Sequence, residues 1–440
     1  MREYLKNLPQ EIQDLICLVQ DVAFRSNMPV YLVGGFVRDL ILGVKNLDLD
    51  IVVEGDGISF AQDLASHLNA KLIRHRRFGT ATVIAKSHIK VDPSTSLEGH
   101  GERSRTIDIA TARREFYPAP AHLPVVEAGN LKDDLSRRDF TINAMAVSIS
   151  REGFGKLIDF FGGKSDLNKK KVRILHNLSF IDDPTRILRA VRFEQRYSLR
   201  IEPETLKNLK EAVRLKMLEK VKPQRIRDDL ILMLEEKKPL KEIRRLKELA
   251  GFSFISPRIL ISKKALQFLQ SIEKQINWFN KIYPQRRQLD TWLIYFTALS
   301  EALTIKDIKV VFKKFVFRKG EEKRILSFKK INRRFIRRLK QYKIKPSEIF
   351  NLLEPLSYEI IILLKAKYKD RPIQHRIEDF FEIYNGMQIF VSGHDLHRLG
   401  IAPGPYYQKI FTKVLNAKLD GRVKTKEQEL RLIKELIRIR

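Results

Sequence analysis

Asp48 and Asp50 lie one residue apart, a short way after the glycine pair Gly34-Gly35 and Arg38. Side chains at alternate positions of a strand share one face. Two carboxylates there can hold one or two Mg²⁺ ions, which take oxygen ligands and commonly share them with substrate phosphates. The glycines supply the complementary half. Lacking side chains, Gly34 and Gly35 let a phosphate approach the backbone, and a helix starting behind them adds N–H groups and partial positive charge. Arg38 adds a full charge. Taken singly, Gly-Gly is a turn and Asp-x-Asp a solvated strand edge. Their succession over residues 34–50 points to a triphosphate gripped by metal. Asp108 reads either as a third carboxylate, completing the metal shell or receiving a proton, or as an ordinary solvent-facing strand residue.

These residues need a sheet to hold them. The apolar, β-branched runs 30–33, 47–53, 80–85 and 106–111 read as strands, with 34–35 as a tight turn and 36–42 as a helix. Residues 86–105 are polar and rich in Ser, Gly and His, as in a loop or hairpin excursion. The α/β alternation ends near residue 150. Beyond it the pattern becomes almost wholly helical, and from Pro203 it is broken at Gly251, Pro257, Pro284, Pro346, Pro355, Pro372 and Gly386.

Two further clusters carry chemistry. Residues 135–146 place Arg137, Arg138, Asp139 and Asn143 at what reads as the opening of an apolar helix. Arg137 or Arg138 can fork onto phosphate or ribose oxygens, Asp139 can cap the helix or orient an arginine, and Asn143 lies one turn on. Residues 180–193 contain Asp182-Asp183-Pro184-Thr185-Arg186, followed by Arg189 and Arg192. Proline at the first helical position makes Asp183 the expected N-cap. The three arginines form a stripe, leaving Ile187, Leu188 and Val191 for burial. Asp183 beside Arg186 presents an acceptor next to donors, which complements the pairing edges of cytosine and adenine and opposes those of uracil and guanine.

The formal charge of +31 over 440 residues predicts attraction for a polyanion, with nucleic acid as the partner. A membrane surface would be the rival, but no run approaches the apolar length that spans a bilayer. The start Met1-Arg-Glu-Tyr-Leu lacks the order of an export signal. The single cysteine, Cys17, follows the apolar periodicity of its helix and is expected in the core. A cytoplasmic location follows. The basic stretch 313–345, with Lys313, Lys314, Arg333, Arg334, Arg337 and Arg338 and with Glu321 and Glu322 as its acids, is expected to track RNA phosphates. In the segment His394-Asp395-Leu396-His397, turn and helix-cap roles outweigh metal binding.

The three clusters in this order, Gly34-Gly-Phe-Val-Arg-Asp39 with Asp48-Leu-Asp50, Arg137-Arg-Asp-Phe-Thr-Ile-Asn-Ala144, and Asp182-Asp-Pro-Thr-Arg186 with Arg189-Ala-Val-Arg-Phe193, resemble the class II tRNA nucleotidyltransferase and bacterial poly(A) polymerase family. The likeness covers roughly residues 25–235. It implies an α+β protein: a polymerase-β-like head with a mixed sheet and helices (residues 1–150), then an all-α neck (151–235), body (236–345) and tail (346–440). It further implies that Asp48 and Asp50 bind Mg²⁺, that Gly35, Arg38 and Arg138 hold triphosphate and sugar, and that Asp183 and Arg186 select the base with support from Arg189 and Arg192. The expected reaction adds CMP, AMP or both from CTP and ATP to the 3′ end of tRNA without a template. The alternatives are a poly(A) polymerase acting on general RNA ends and a catalytically silent RNA-binding protein. The proline-containing segment 111–124 falls where the family has its flexible specificity loop.

Overall fold

The computed structural model describes residues 1–44, 48–86 and 104–438. The chain divides into two compact units, Met1–Glu236 with Lys241–Phe254, and Lys237–Leu240 with Ile255–Arg440.

The first unit is built on a seven-stranded mixed sheet. Its strands are β1 (Val30–Val33), β2 (Leu49–Val53), β3 (Lys71–His75), β4 (Thr80–Lys86), β5 (Ser104–Thr111), β8 (Ala146–Ser148) and β9 (Leu157–Ile158), in the order β3-β4-β5-β2-β1-β8-β9. Strands β6 (Arg113–Phe116) and β7 (Val125–Ala128) form a separate antiparallel hairpin in the segment expected to carry the specificity loop. The central strands β1 and β2 are apolar at nearly every position because helices and loops cover both faces; Leu32, Val33, Leu49, Ile51, Val52 and Val53 are all buried. The helix Gly57–His67 starts where the Asp56 carboxylate accepts from the N–H groups of Ile58 and Ser59 at 3.0 and 3.1 Å. Its buried face is Phe60, Ala61, Leu64 and Ala65.

Strands β1, β2, β4 and β5 appear where the alternation predicts them, β3 and β6–β9 were not predicted, and three differences lie elsewhere. Helix α1 (Gly34–Leu42) begins on the glycines rather than after them, because Gly34 takes φ +67° at its first position. Residues 137–143 do not open a helix. The helix Leu131–Ser136 ends just before the arginines, and a single 3₁₀ turn, Thr141–Asn143, follows. The Asp139 carboxylate accepts from the N–H of Phe140 and the amide of Asn143, both at 2.8 Å, and the Thr141 N–H is taken by the Arg173 carbonyl at 2.9 Å. Local side-chain acceptors and a tertiary partner thus outcompete the helix. Cys17 is exposed: the buried stripe of the helix Gln10–Ser26 runs through Ile12, Ile16, Val19, Val22 and Ala23, and Cys17 falls beside it. The expected excursion at 86–105 falls almost entirely on residues outside the described set, as does Leu47.

The rest of the first unit is helical, apart from a two-residue parallel pairing of β10 (Lys171–Val172) with β11 (Arg200–Ile201); this pairing and β9 both lie inside 151–235, the segment expected to be all-α. Two of its helices matter here, α2 (Arg186–Arg196) and α3 (Pro223–Leu234). The second unit is wholly helical among its described residues, and no described helix is long and apolar enough to cross a membrane. Its packing is stapled by Glu359, which is fully buried on the helix Tyr358–Lys367. Glu359 accepts both Arg287 guanidinium N–H groups at 2.8 and 2.9 Å and the Asp290 N–H at 3.1 Å. Burial opposes ionisation, but these donors hold its carboxyl at about 2. A carboxyl whose folded pKa lies below its unfolded value contributes stability above about 4.5, and that stability is lost as pH falls through about 2. Acid unfolding between pH 5 and 2 is expected to weaken the second unit, and Glu359→Gln, already destabilised at neutral pH, to show a flatter acid dependence by urea titration.

Candidate active site

The glycines, the arginines and the carboxylates meet at the edge of the head sheet. Gly34 lies so close to Arg138 that a Cβ there would stand 2.4 Å from the Arg138 Nη1 and 3.6 Å from the Asp50 Oδ2. A Cβ on Gly35 would meet the Arg38 Nη2 at 3.5 Å and Asp50 Oδ2 at 3.8 Å. The absence of side chains at 34 and 35 is therefore what admits an arginine and a carboxylate to one spot. Arg138 is aimed there by Asp134, fully buried, which receives Arg138 at 3.0 Å and Arg137 at 2.6 Å.

Asp50 faces Asp108 directly across the parallel pair β2 and β5, so the two side chains leave the same face of the sheet. Thr82 on β4 donates to the Asp108 Oδ1 at 2.7 Å. Asp48 stands just before β2 rather than on it, exposed. Burial pushes the Asp50 carboxyl up to about 6 against the pull of Arg138, and the charges of Asp108 and Asp48 push it further the same way. The three carboxylates therefore share one field.

A cavity of about 530 Å³ opens from this point and is walled by Gly35, Arg38, Asp50, Arg138, Asp139, Asn143, Asp183, Arg186 and Arg189. A second cavity of about 330 Å³ holds Asp108 and Thr82, and shares Asp50 and Arg138 with the first. Most of the residues singled out from the sequence thus line one space. Arg192 does not; it approaches Glu236 at 3.9 Å. Nor does Asp182, whose carboxylate lies 3.9 Å from His176.

Several residues do work the sequence did not assign. Arg38, expected to reach phosphate, lines the cavity, and its guanidinium is also held from within the protein. It donates to Asp39 at 2.8 Å, to Asn143 at 2.6 Å and to the Tyr197 hydroxyl at 2.6 Å, and lies over the Phe193 and Tyr197 rings. Arg38 thereby ties α1 to the Asn143 turn and to α2. Asp183 follows the short helix Ser179–Asp182 and stands two residues before Thr185, the residue before α2, where its side chain makes an N-cap type of contact. Its Oδ1 accepts from the Thr185 N–H at 3.1 Å and hydroxyl at 2.7 Å, and its Oδ2 from Arg225 at 2.8 Å. Arg186, buried, donates to the Ser179 hydroxyl at 2.6 Å and the Arg137 carbonyl at 2.8 Å. Two of its five N–H groups are so engaged, and Asp183 Oδ2, which takes one hydrogen bond where Oδ1 takes two, retains a second lone pair. An acceptor and donors therefore still face the cavity side by side. The arginines of α2 do not form a free stripe, while Ile187, Leu188 and Val191 are buried as expected.

Asp139 holds Arg189 through a 2.6 Å ion pair. Burial would raise its carboxyl, but Arg189 and the Asn143 amide bring it down to about 2. Arg225 and Asp229 on α3 and Tyr117 after β6 also line the cavity and were not anticipated. Arg225 and Asp229 carry the signal of a polar i, i+4 pair on a helix; Tyr117 carries none. The Nε of Arg138 and the Nη1 of Arg225 are buried with no hydrogen-bond partner among the described residues. Buried cationic donors of that kind suit an anionic ligand.

The Poly A polymerase head domain model matches residues 30–173. An A-adding tRNA nucleotidyltransferase of Halalkalibacterium halodurans is 31% identical over 94% of this chain and 90% of its own length. The chain belongs to the tRNA nucleotidyltransferase family. Another relative, the A-adding tRNA nucleotidyltransferase of Geobacter sulfurreducens, is 35% identical over 97% of this chain, which spans only 47% of that longer protein. A solved structure of a Thermotoga maritima CCA-adding enzyme complexed with tRNA superposes with a TM-score of 0.71 at 33% identity, covering 99% of this chain and 98% of that one. The mixed-sheet head followed by helices is the architecture of this nucleotidyltransferase family.

Proteins of this family generally use a divalent metal, and the residues present fit one. Among the described residues no three acidic, His or Cys side chains converge closely enough to enclose an ion alone. Asp48 and Asp50 instead offer hard oxygen donors that phosphate oxygens would complete, and the repelled Asp50 carboxyl would be relieved by a cation beside it.

Proposed function

We propose that the protein is a template-independent tRNA nucleotidyltransferase that adds CMP, AMP or both from CTP and ATP to the 3′ end of tRNA. The observation carrying this reading is the placement of Asp50 and Arg138 at the junction of the two cavities, with the glycine pair at one end and the Asp183–Arg186 corner at the other. The A-adding relatives favour AMP addition as the part of the activity this chain performs.

In this scheme Asp48 and Asp50 hold Mg²⁺, which when bound stabilises charge on the attacking and leaving oxygens. Arg138, steered by Asp134, binds the phosphates. Asp183 and Arg186 read the base edge, with Arg225 fixing the first, and with Ser179 and the Arg137 carbonyl fixing the second. Asp139, Asn143 and Arg38 hold α1 and α2 in register, and Arg189 braces Asp139. Asp108 accepts the proton of the attacking hydroxyl or completes the metal shell. The protein side chains take the place of a template. We retain the head, neck, body and tail segments 1–150, 151–235, 236–345 and 346–440 as the organisation of the chain, and place a tRNA-maturing enzyme in the cytoplasm.

RNA would be held by exposed cations of the second unit. Lys313, Lys314, Arg333, Arg334, Arg337 and Arg338 are all exposed. Not every cation of the 313–345 stretch is available. Arg324 pairs with Asp290 and approaches Glu359 at 3.7 Å, Lys329 donates to the carbonyls of Ser300, Glu301 and Leu303, and Arg338 lies 3.1 Å from Glu348. The acids that pair them come from other segments, which is why the run looked unpaired in sequence. Replacing Arg333, Arg334 and Arg337 together by Ala is expected to lower the slope of log affinity against log salt by roughly 2 to 3, measured by filter binding to tRNA.

The decisive assay offers CTP and ATP separately to tRNA lacking its 3′ end and to tRNA ending in CC. Addition of a single A to the CC-ended tRNA supports AMP addition, and C addition to the shortened tRNA supports the wider activity. Long A tracts on any RNA would favour the poly(A) polymerase reading, and no incorporation would leave an RNA-binding protein.

A further inference from the structure

Tyr342 is 95% exposed, the most exposed of the large apolar and aromatic side chains described. It lies between helix α4 (Arg333–Leu339) and the helix Pro346–Leu353. A ring this open has no packing role in the unit that carries it, and a tyrosine normally buries most of its surface. The turn beneath it is not loosely attached. The Arg376 guanidinium donates to the carbonyls of Leu339 and Gln341, Lys340 forms a 2.7 Å ion pair with Asp370, and the Lys340 and Gln341 N–H groups close back onto α4. The backbone on the N-terminal side of Tyr342 is thus anchored, while its ring projects into solvent.

The surroundings select the partner. Residues 333–345 contain seven basic residues and no acid. Arg338 and Lys340 have acidic partners, whereas Arg333, Arg334, Arg337, Lys343 and Lys345 are exposed and form no ion pair among the described residues. A flat π-face among unpaired cations matches the groups a nucleic acid offers, a stacked base beside backbone phosphates. A protein partner of matching acidity would meet the charges but would leave the ring without a flat counterpart.

We propose that Tyr342 is a stacking platform for a nucleobase of the bound RNA, with the neighbouring cations holding the adjoining phosphates. This rests on the reading of the protein as an RNA-modifying enzyme, and adds a base contact to a surface otherwise described by charge alone. Stacking is insensitive to salt, unlike phosphate contacts.

The test measures the dissociation constant of the full chain for tRNA at two salt concentrations, for the native protein and for Tyr342→Phe, Tyr342→Leu and Tyr342→Ala. Phe is expected to bind within about twofold of the native protein, and Leu and Ala to bind about tenfold more weakly, with the salt slope unchanged and the melting temperature unaltered. Equal binding by all four proteins, or a loss with Phe equal to that with Ala, overturns the platform. Incorporation measured in parallel at saturating tRNA separates the two claims: native incorporation together with equal tRNA binding by all four proteins refutes stacking alone, whereas no incorporation by any protein refutes the catalytic reading while the binding comparison still stands.

Discussion

Asp50→Asn is expected to lower nucleotide incorporation by about 10²- to 10³-fold while leaving the affinity for tRNA unchanged and the melting temperature equal or higher. The three parts follow from one environment. Asp50 is half-buried between Arg138 and the carboxylates Asp108 and Asp48, and its carboxyl is raised to about 6. Folding therefore disfavours its charge, and removing that charge costs the fold nothing. In the proposed scheme the same charge serves a cation at the phosphates, and loss of one well-placed electrostatic contact in a catalytic site commonly costs 10² to 10³ in rate. A charged group tolerated against the interest of stability is a mark of function. Single-turnover incorporation with labelled ATP, beside thermal melts and a binding titration, measures all three. A variant that melts early and binds tRNA poorly would mean that Asp50 is a structural residue.

Gly34→Ala is expected to reduce kcat/KM by about 10²-fold, with a smaller loss of stability of about 1–2 kcal/mol. The stability term comes from the left-handed φ of +67°, which an alanine adopts at a cost. The catalytic term comes from the new methyl group, which would stand 2.4 Å from the Arg138 Nη1. Arg138 is the flexible partner and must yield, leaving its 3.0 Å contact with Asp134 and its place beside Asp50. If displacement of Arg138 is the cause, Arg138→Ala and Gly34→Ala act on one contact, so the double variant should be little worse than the poorer single one. Fully additive losses would place the effect of Gly34 elsewhere.

Most of the residues that line the cavity were legible because they sit in short-range patterns. A glycine pair, an Asp-x-Asp and a Pro-Thr-Arg sequence each impose local geometry, and strands β1, β2, β4 and β5 appear where apolar alternation places them. What could not be read was who pairs with whom. The type and position of Arg38 suit a phosphate ligand, but its partners Asn143 and Tyr197 lie 105 and 159 residues away, beyond any periodicity. Arg137 and Arg138 were assigned to the start of a helix that tertiary contact to Arg173 replaces with a single turn. Arg225 reached the site only through the fold that sets α3 against Asp183. Cys17 shows the reverse error, where a one-residue offset from the apolar stripe moved it from core to surface.

The central claim is that this site joins a nucleotide to an RNA 3′-hydroxyl with release of pyrophosphate. The most direct measurement follows pyrophosphate from CTP or ATP in the presence of Mg²⁺ and tRNA lacking its terminal nucleotides, against the same tRNA ending in a 3′-deoxynucleotide. The account predicts one pyrophosphate per nucleotide added with the hydroxyl end and none with the deoxy end. Release that proceeds without RNA, or that ignores the missing hydroxyl, would contradict it.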